Sequence, residues 1–136
     1  MSKNKHNKLA GSEVERSDKR VDTTGEVFTP QWLVEEMIDA YPEESFKDSS
    51  STFLDNSAGS GNFLVELKKR LLKYHTEEHI LNHMLYAVEF MEDNHKELCD
   101  RLGVSYDHPH YVHADALTYH YNFDGVPTET SLNQFF

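Results

Sequence analysis

Residues 52–63, Thr-Phe-Leu-Asp-Asn-Ser-Ala-Gly-Ser-Gly-Asn-Phe, constrain this chain more than any other stretch. They read as a short apolar strand with an acid at its carboxyl end, followed by a glycine turn that opens a helix. Gly59 and Gly61 lack a Cβ, so the turn can take positive φ and bring its backbone close to a ligand. Asp55 then stands at the strand tip, where an α/β sheet presents its ligands. The turn carries the first two glycines of a dinucleotide fingerprint, but Phe63 and Leu64 stand where a third would fall, so a cofactor without a pyrophosphate fits better. Alone, the pattern also describes an ordinary tight turn between strand and helix. The rest of the chain has to decide.

Its periodicity decides for an α/β fold. Thr29 as N-cap, Pro30 at the first helical position and Leu33, Val34, Met37, Ile38 and Tyr41 at helical spacing predict a helix, with Phe28 stapled onto Leu33. Pro42 and the acidic, Ser-rich stretch to Ser51 make a loop. After the glycine turn, Phe63, Leu64, Leu67, Leu71 and Tyr74 predict a second amphipathic helix, and residues 77–84 a short third one. Residues 85–89, Leu-Tyr-Ala-Val-Glu, read as a buried strand ending in an acid. Residues 91–102 form a helix with Met91, Leu98 and Leu102 inward, stopped by Gly103. Residues 110–115 read as a third strand ending in Asp115, and residues 123–126 begin a fourth. Strands alternating with helices predict a doubly wound, mainly parallel sheet.

The 136 residues allow one domain, and 38% hydrophobic with 27% charged residues indicates a soluble globular protein. No apolar run reaches membrane length and the amino terminus lacks a signal-peptide core, so the expected location is cytoplasmic. Residues 1–24 carry six basic residues against four acids, whereas the other 112 carry seven against twenty, a charge of −13. The first segment is expected to be a flexible arm, residues 25–126 the folded domain and 127–136 a tail. So acidic a body repels a phosphate backbone and disfavours unassisted binding to duplex DNA. The single cysteine, Cys99, excludes an internal disulfide.

Ligands of such sheets bind beyond the carboxyl ends of the strands, so Asp55, Glu89 and Asp115 are expected to converge on one crevice. A carboxylate after the second strand can accept from both hydroxyls of a ribose, which suits Glu89. Asp115 can accept from the amine of an adenine while the Ala116 amide donates to a ring nitrogen. Each acid has a plainer reading, as a solvated strand end or a helix cap. Three in register behind a glycine turn favour the ligand.

Taken in order, Gly25-Glu-Val-Phe-Thr-Pro30, then Asp55-Asn-Ser-Ala-Gly-Ser-Gly-Asn-Phe63, then Glu89 and Asp115, resemble the cofactor half of amino-group DNA methyltransferases. The adenine-N6 group, including modification subunits of restriction systems, is the nearest in pattern. Its loop is typically Asp-Pro-Ala-Cys-Gly-Ser-Gly-x-Phe, matched here at Asp55, Gly59, Ser60, Gly61 and Phe63 and departed from at Asn56, Ser57 and Ala58. The resemblance implies a Rossmann-like methyltransferase fold and S-adenosyl-L-methionine as cofactor. It implies that Phe28 and Thr29 close over the methionine end and that Asp55, Ser57, Gly59, Gly61 and Phe63 form the cradle of the amino acid portion. Glu89 would hold the ribose, Asp115 with Ala116 the adenine, and Phe90 would pack on the adenine face. An acidic, partly aromatic pocket suits a positive sulfonium.

The family's catalytic element, Asn/Asp-Pro-Pro-Tyr/Phe after the fourth strand, has no counterpart: Tyr121 to Val126 lead toward it, then Pro127-Thr-Glu-Thr130 follows. The implied protein is a truncated cofactor module without catalytic residues or a target recognition domain, not competent alone, reaching DNA through a complementary subunit or pairing with itself or another protein. The alternative is an acidic regulatory or inhibitory protein acting on a nucleic-acid enzyme, or one subunit of a split methyltransferase. His75-Thr-Glu-Glu-His79 matches an inverted zinc-peptidase pattern, but nine histidines make a chance match easy, and no metal site is expected. His95, between Met91 and Leu98, reads as a packed core histidine.

Overall fold

A computed structural model describes residues 29–125; residues 1–28, which include the whole segment read as an arm and Phe28, and residues 126–136, which include Val126 and the tail, lie outside them. The chain divides into two compact units, Met1–Ala40 and Tyr41–Phe136.

In the first unit, helix α1 spans Gln31–Asp39 and buries Val34 and Ile38 completely. It starts one residue later than the sequence predicts. Pro30 is extended (ψ 150°) at the cap, and its carbonyl accepts from the amides of Leu33 and Val34, both at 3.1 Å. A proline there forfeits no helical amide bond. Thr29 therefore precedes the cap instead of forming it, and the Phe28 staple falls outside the described residues.

The second unit contains α2 (Glu43–Lys47), β1 (Phe53–Asp55), α3 (Asn62–Leu71), and α4 (Glu77–His79) running into a π-helical turn at Ile80–Met84. Then come β2 (Leu85–Glu89), α5 (Glu92–Leu102) and β3 (Tyr111–His113). The three strands form one all-parallel sheet in the order β1-β2-β3. Parallel neighbours need a crossover, and the helical segments between β1 and β2 and between β2 and β3 supply it. This is the α/β, truncated Rossmann-like arrangement that the alternation predicts.

The core lies where the apolar periods place it. Leu64, Leu67 and Leu71 of α3, Leu98 and Leu102 of α5, and Leu85, Ala87 and Val88 of β2 are all buried. Truncating one of these leucines to alanine costs about 2 to 5 kcal/mol. The α5 stop is as expected: Gly103 is left-handed (φ +78°), its amide donates to Asp100 and Cys99, and the Val104 amide donates to Cys99 at 3.0 Å. Cys99 is a free, buried thiol pushed up to about 11 by burial, with the Asp100 charge adding. His95 is buried as expected, and its Nε2 donates to the Tyr111 carbonyl at 2.8 Å.

Five expectations fail for local reasons. The stretch from Pro42 to Ser51 is not all loop, because Glu43–Lys47 forms α2 with Phe46 buried. The strand at residues 52–55 is not wholly buried, because β1 is the edge of the three strands and Leu54 is 49% exposed. Tyr74 lies past the end of α3, and its hydroxyl donates to the Glu43 carboxylate. The third strand stops at His113, because the chain turns at Asp115, whose carbonyl accepts from the amides of Thr118 and Tyr119. Residues 123–125 are not strand: Phe123 is left-handed (φ 48°), as is Tyr121 (φ 55°). The Phe123 amide donates to the Tyr119 hydroxyl at 2.8 Å, and its ring packs edge-on against Tyr86. Those contacts hold a backbone conformation that non-glycine residues rarely adopt.

Several histidines are tied to main-chain carbonyls. His75 and His79 donate through Nε2 to the carbonyls of Phe46 (2.6 Å) and Ser49 (2.8 Å), and their rings stack in a column with His83. Among the described residues no group of side chains is arranged to hold a metal ion. His108 has both ring nitrogens committed, Nδ1 accepting from the His110 amide and Nε2 bonded to Asn82. Burial holds His95, His108 and His110 below the ordinary histidine value, with repulsion from neighbouring histidines adding. Above about pH 6.5 these rings are neutral folded or unfolded and contribute nothing to pH dependence. As pH falls below that, the unfolded chain takes up protons first, so stability drops until the folded-state values are passed. Denaturant titrations from pH 8 to pH 5 are expected to show a decline approaching about 1.4 kcal/mol per pH unit for each proton taken up on unfolding.

Candidate functional site

The glycine turn sits where β1, β2 and α5 meet, and nearly every group in it is held from a neighbouring element. After β1 the Ser57 amide donates to Asp55 Oδ1 (3.1 Å) and the Ala58 amide to the Val88 carbonyl of β2 (3.3 Å). The Gly59 amide donates to Glu89 Oε1 at 2.7 Å, and the Gly61 amide to the Ala58 carbonyl at 3.0 Å. Both glycines are left-handed, Gly59 at φ +57° and Gly61 at φ +97°. Their surroundings differ. A Cβ on Gly59 would meet nothing within 4 Å, whereas one on Gly61 would lie 2.6 Å from Leu98 Cδ1 and 3.5 Å from the Leu98 Cα. Gly59 faces open space; Gly61 is glycine because α5 packs against it.

Glu89 is buried, 5% exposed, and its carboxylate is committed: Oε1 to Gly59, Oε2 to the Met91 amide at 2.9 Å and to Asn94 Nδ2 at 3.5 Å. A carboxylate has about four acceptor positions, so one stays available to an outside donor. Asp55 is half-buried, and burial raises it above the ordinary carboxylate range against the lowering effect of the Ser57 amide. Phe90 is 61% exposed, and its carbonyl accepts from His113 Nε2 at 3.0 Å. Phe63 is half-buried, edge-on to Tyr41. Ser60 is 2% exposed, and its hydroxyl finds no partner among the described residues.

The three acids do not lie level. Asp55 pairs with Ala87, Ala87 with Tyr111 and Glu89 with His113, so Glu89 stands two residues beyond Asp55 along the strand direction and Asp115 two residues past the partner of Glu89. At about 3.3 Å per residue the step from Asp55 to Glu89 is roughly 6 to 7 Å, and Asp115 lies beyond the end of β3, where the chain turns. The acids form a staircase, where the sequence suggested a row. Asp115 is exposed, its Oδ1 accepting from the Leu117 amide at 2.9 Å, so it braces a turn; the Ala116 carbonyl accepts from the Tyr121 hydroxyl. Thr29 belongs to the first unit.

One residue of this arrangement escaped the sequence reading. Arg101, in the last turn of α5, donates from one guanidinium nitrogen to the Ser60 carbonyl (2.9 Å) and to Asn62 Oδ1 (2.8 Å). Its partners are about forty residues away and no local pattern marks it; its scarcity among the acids of the body was the only signal.

The sequence pattern of N-6 DNA methylases matches residues 15–123. The chain belongs to the N-6 DNA methylase family. A solved structure with a similar fold is described as a modification subunit of a type I restriction enzyme from Vibrio vulnificus YJ016, with a TM-score of 0.50 and 18% identity. The likeness covers 79% of this chain and 23% of that one, so this methylase-family chain spans about a quarter of that structure's length. No curated protein matches it in sequence. Among the described residues no helix is long and apolar enough to cross a membrane.

Two outcomes test the site's physics. Replacing Gly59 by alanine is expected to cost about 1 to 2 kcal/mol for the left-handed backbone, whereas Gly61→Ala adds overpacking against Leu98 and is expected to cost roughly 2 to 5 kcal/mol in denaturant titration. Asp55→Asn removes a carboxylate that the fold disfavours when ionised. The variant is expected to melt higher than the parent at pH 7, and the gain should vanish below pH 3.8, where the parent's acid is protonated in both states.

Proposed function

We propose that this chain is the cofactor-binding part of an adenine-N6 DNA methyltransferase and that it binds S-adenosyl-L-methionine across the carboxyl ends of β1, β2 and β3. The observation that carries the reading is the staircase of Asp55, Glu89 and Asp115 beside a left-handed glycine turn with open space at Gly59. An elongated ligand with an amino acid at one end, a ribose in the middle and an adenine at the other matches such steps in order. Family membership supports the choice.

The residues present fit that ligand chemically. Asp55, desolvated and with no cation paired to it among the described residues, would be stabilised by a positive amino group beside it. Glu89 keeps an acceptor position for a ribose hydroxyl, and Phe90 offers an exposed ring for an adenine face. Asp115 and Ala116 would meet the adenine edge, Ser57 and Phe63 flank the cradle, and Phe28 and Thr29 would close over the methionine end. The cofactor would supply a methyl group on a sulfonium. These side chains bind and orient it, and none is positioned as acid or base toward a target amine.

Methyl transfer needs an acceptor group on the target amine and an aromatic face for the extruded base, the task of Asn/Asp-Pro-Pro-Tyr/Phe in this family. None of the 136 residues supplies that element. The charge of −13 on residues 25–136 also disfavours encounter with DNA, so on this reading the catalytic loop and the DNA contact lie outside these 136 residues.

Calorimetric titration is expected to show binding of S-adenosyl-L-methionine and of its demethylated product, with Glu89→Gln weakening both by about 1.5 to 3 kcal/mol. No binding by the parent at millimolar ligand defeats the reading, and unchanged binding by Glu89→Gln removes the ribose assignment. Incubated alone with labelled cofactor and single- or double-stranded DNA at low salt, these 136 residues are expected to transfer no methyl. Turnover that disappears on Asp55→Ala would refute the assignment of catalysis to groups outside these residues.

A further inference from the structure

The glycine turn is gripped unequally at its two ends. Its second half is pinned by α5: Leu98 fills the space a Gly61 Cβ would need, and Arg101 holds the Ser60 carbonyl and Asn62 Oδ1 together from one nitrogen. Its first half has room around Gly59, whose amide goes to the Glu89 carboxylate. On the reading above, Glu89 serves the ribose and Gly59 the amino acid portion of one ligand. In the described structure those two groups are bonded to each other. The acceptor position left on Glu89 is on Oε1 beside the Gly59 amide, so a ribose hydroxyl that takes it shares that oxygen and weakens its hold on the amide, and an amide so released is a donor for the ligand's carboxylate. That exchange leaves the turn ordered only if its other half stays fixed.

We propose that Arg101 is a positioning residue of the cofactor turn, holding Ser60 to Asn62 in place while the Gly59 amide changes partner from Glu89 to the ligand. The inference rests on the cofactor reading and deepens it. Arg101 meets the turn from outside, through a backbone carbonyl, and need not touch the ligand. The effect should therefore be confined to ligands that reach the turn. A lysine at the same place keeps the charge but lacks the planar, pre-organised guanidinium, so its shorter and more flexible ammonium holds the two acceptors less firmly.

The test uses two ligands on the full chain: 5′-methylthioadenosine, which carries adenine and ribose without an amino acid, and S-adenosylhomocysteine, which adds it. Arg101→Ala is expected to weaken S-adenosylhomocysteine about tenfold, the scale of one or two hydrogen bonds, while methylthioadenosine changes by less than about twofold. Arg101→Lys should fall between parent and alanine variant for S-adenosylhomocysteine, and it carries the test if Arg101→Ala does not fold. The amide resonance of Gly59 should shift on S-adenosylhomocysteine binding in the parent. Equal losses for both ligands, or no loss for either, overturn the positioning role while leaving the cofactor site standing. Failure of the parent to bind S-adenosylhomocysteine overturns the cofactor reading itself, and this inference with it.

Discussion

The Glu89 carboxylate is the point on which the second unit turns. It ends β2, accepts the Gly59 amide from the turn after β1, and accepts the Met91 amide at the start of α5. The end of β2, the start of α5 directly after it and a turn thirty residues earlier thus meet on two oxygen atoms of one buried side chain. Charge-assisted bonds from backbone amides are roughly twice as strong as neutral ones, and an amide left without its acceptor in such a place costs about 1 to 3 kcal/mol. The glycine turn owes its shape to this carboxylate as much as to its own glycines, so on the proposed reading structural and ligand-binding roles fall on one residue. A substitution there cannot remove one role and leave the other untouched.

Electrostatics supply the second constraint. Asp55 is raised by burial, and the body around the site carries few cations, of which Arg101 is spent on a backbone carbonyl and a side-chain amide. A site so arranged holds negative potential that its own fold does not neutralise. That is unfavourable for the folded chain alone and favourable for a cationic ligand, and the two facts are one fact seen with and without the ligand. It also explains why a chain in a DNA-modifying family is poorly suited to approach DNA by itself.

Much of this was legible in the sequence, because the signals were local. The strand, acid and glycine turn at residues 53–61, β2 with Glu89 at its end, and α5 with its Gly103 stop all follow from short-range pattern. The failures were of two kinds. Where a boundary depends on which of two adjacent residues caps or turns, as at Thr29 and Pro30 or at His113 and Asp115, pattern alone places it a residue or two out. Where a feature depends on tertiary contact, pattern says nothing: the Arg101 grip, the steric reason for Gly61 and the left-handed Phe123 held by the Tyr119 hydroxyl all come from partners distant in sequence or fixed by packing. The stagger of the acids lies between these cases, since spacing within each strand was readable and the register between strands was not.

The buried thiol of Cys99 has a consequence for how this molecule can be watched at work. Its high pKa and burial leave almost no reactive thiolate at neutral pH, so a thiol reagent can attack only when α5 lifts from the sheet. Leu98 and Arg101, which grip the glycine turn, flank it on the same helix. The rate at which the one cysteine becomes labelled is thus a clock for the opening of the surface against which the cofactor turn is built. The chain carries its own reporter, placed one residue from the contact that makes Gly61 necessary.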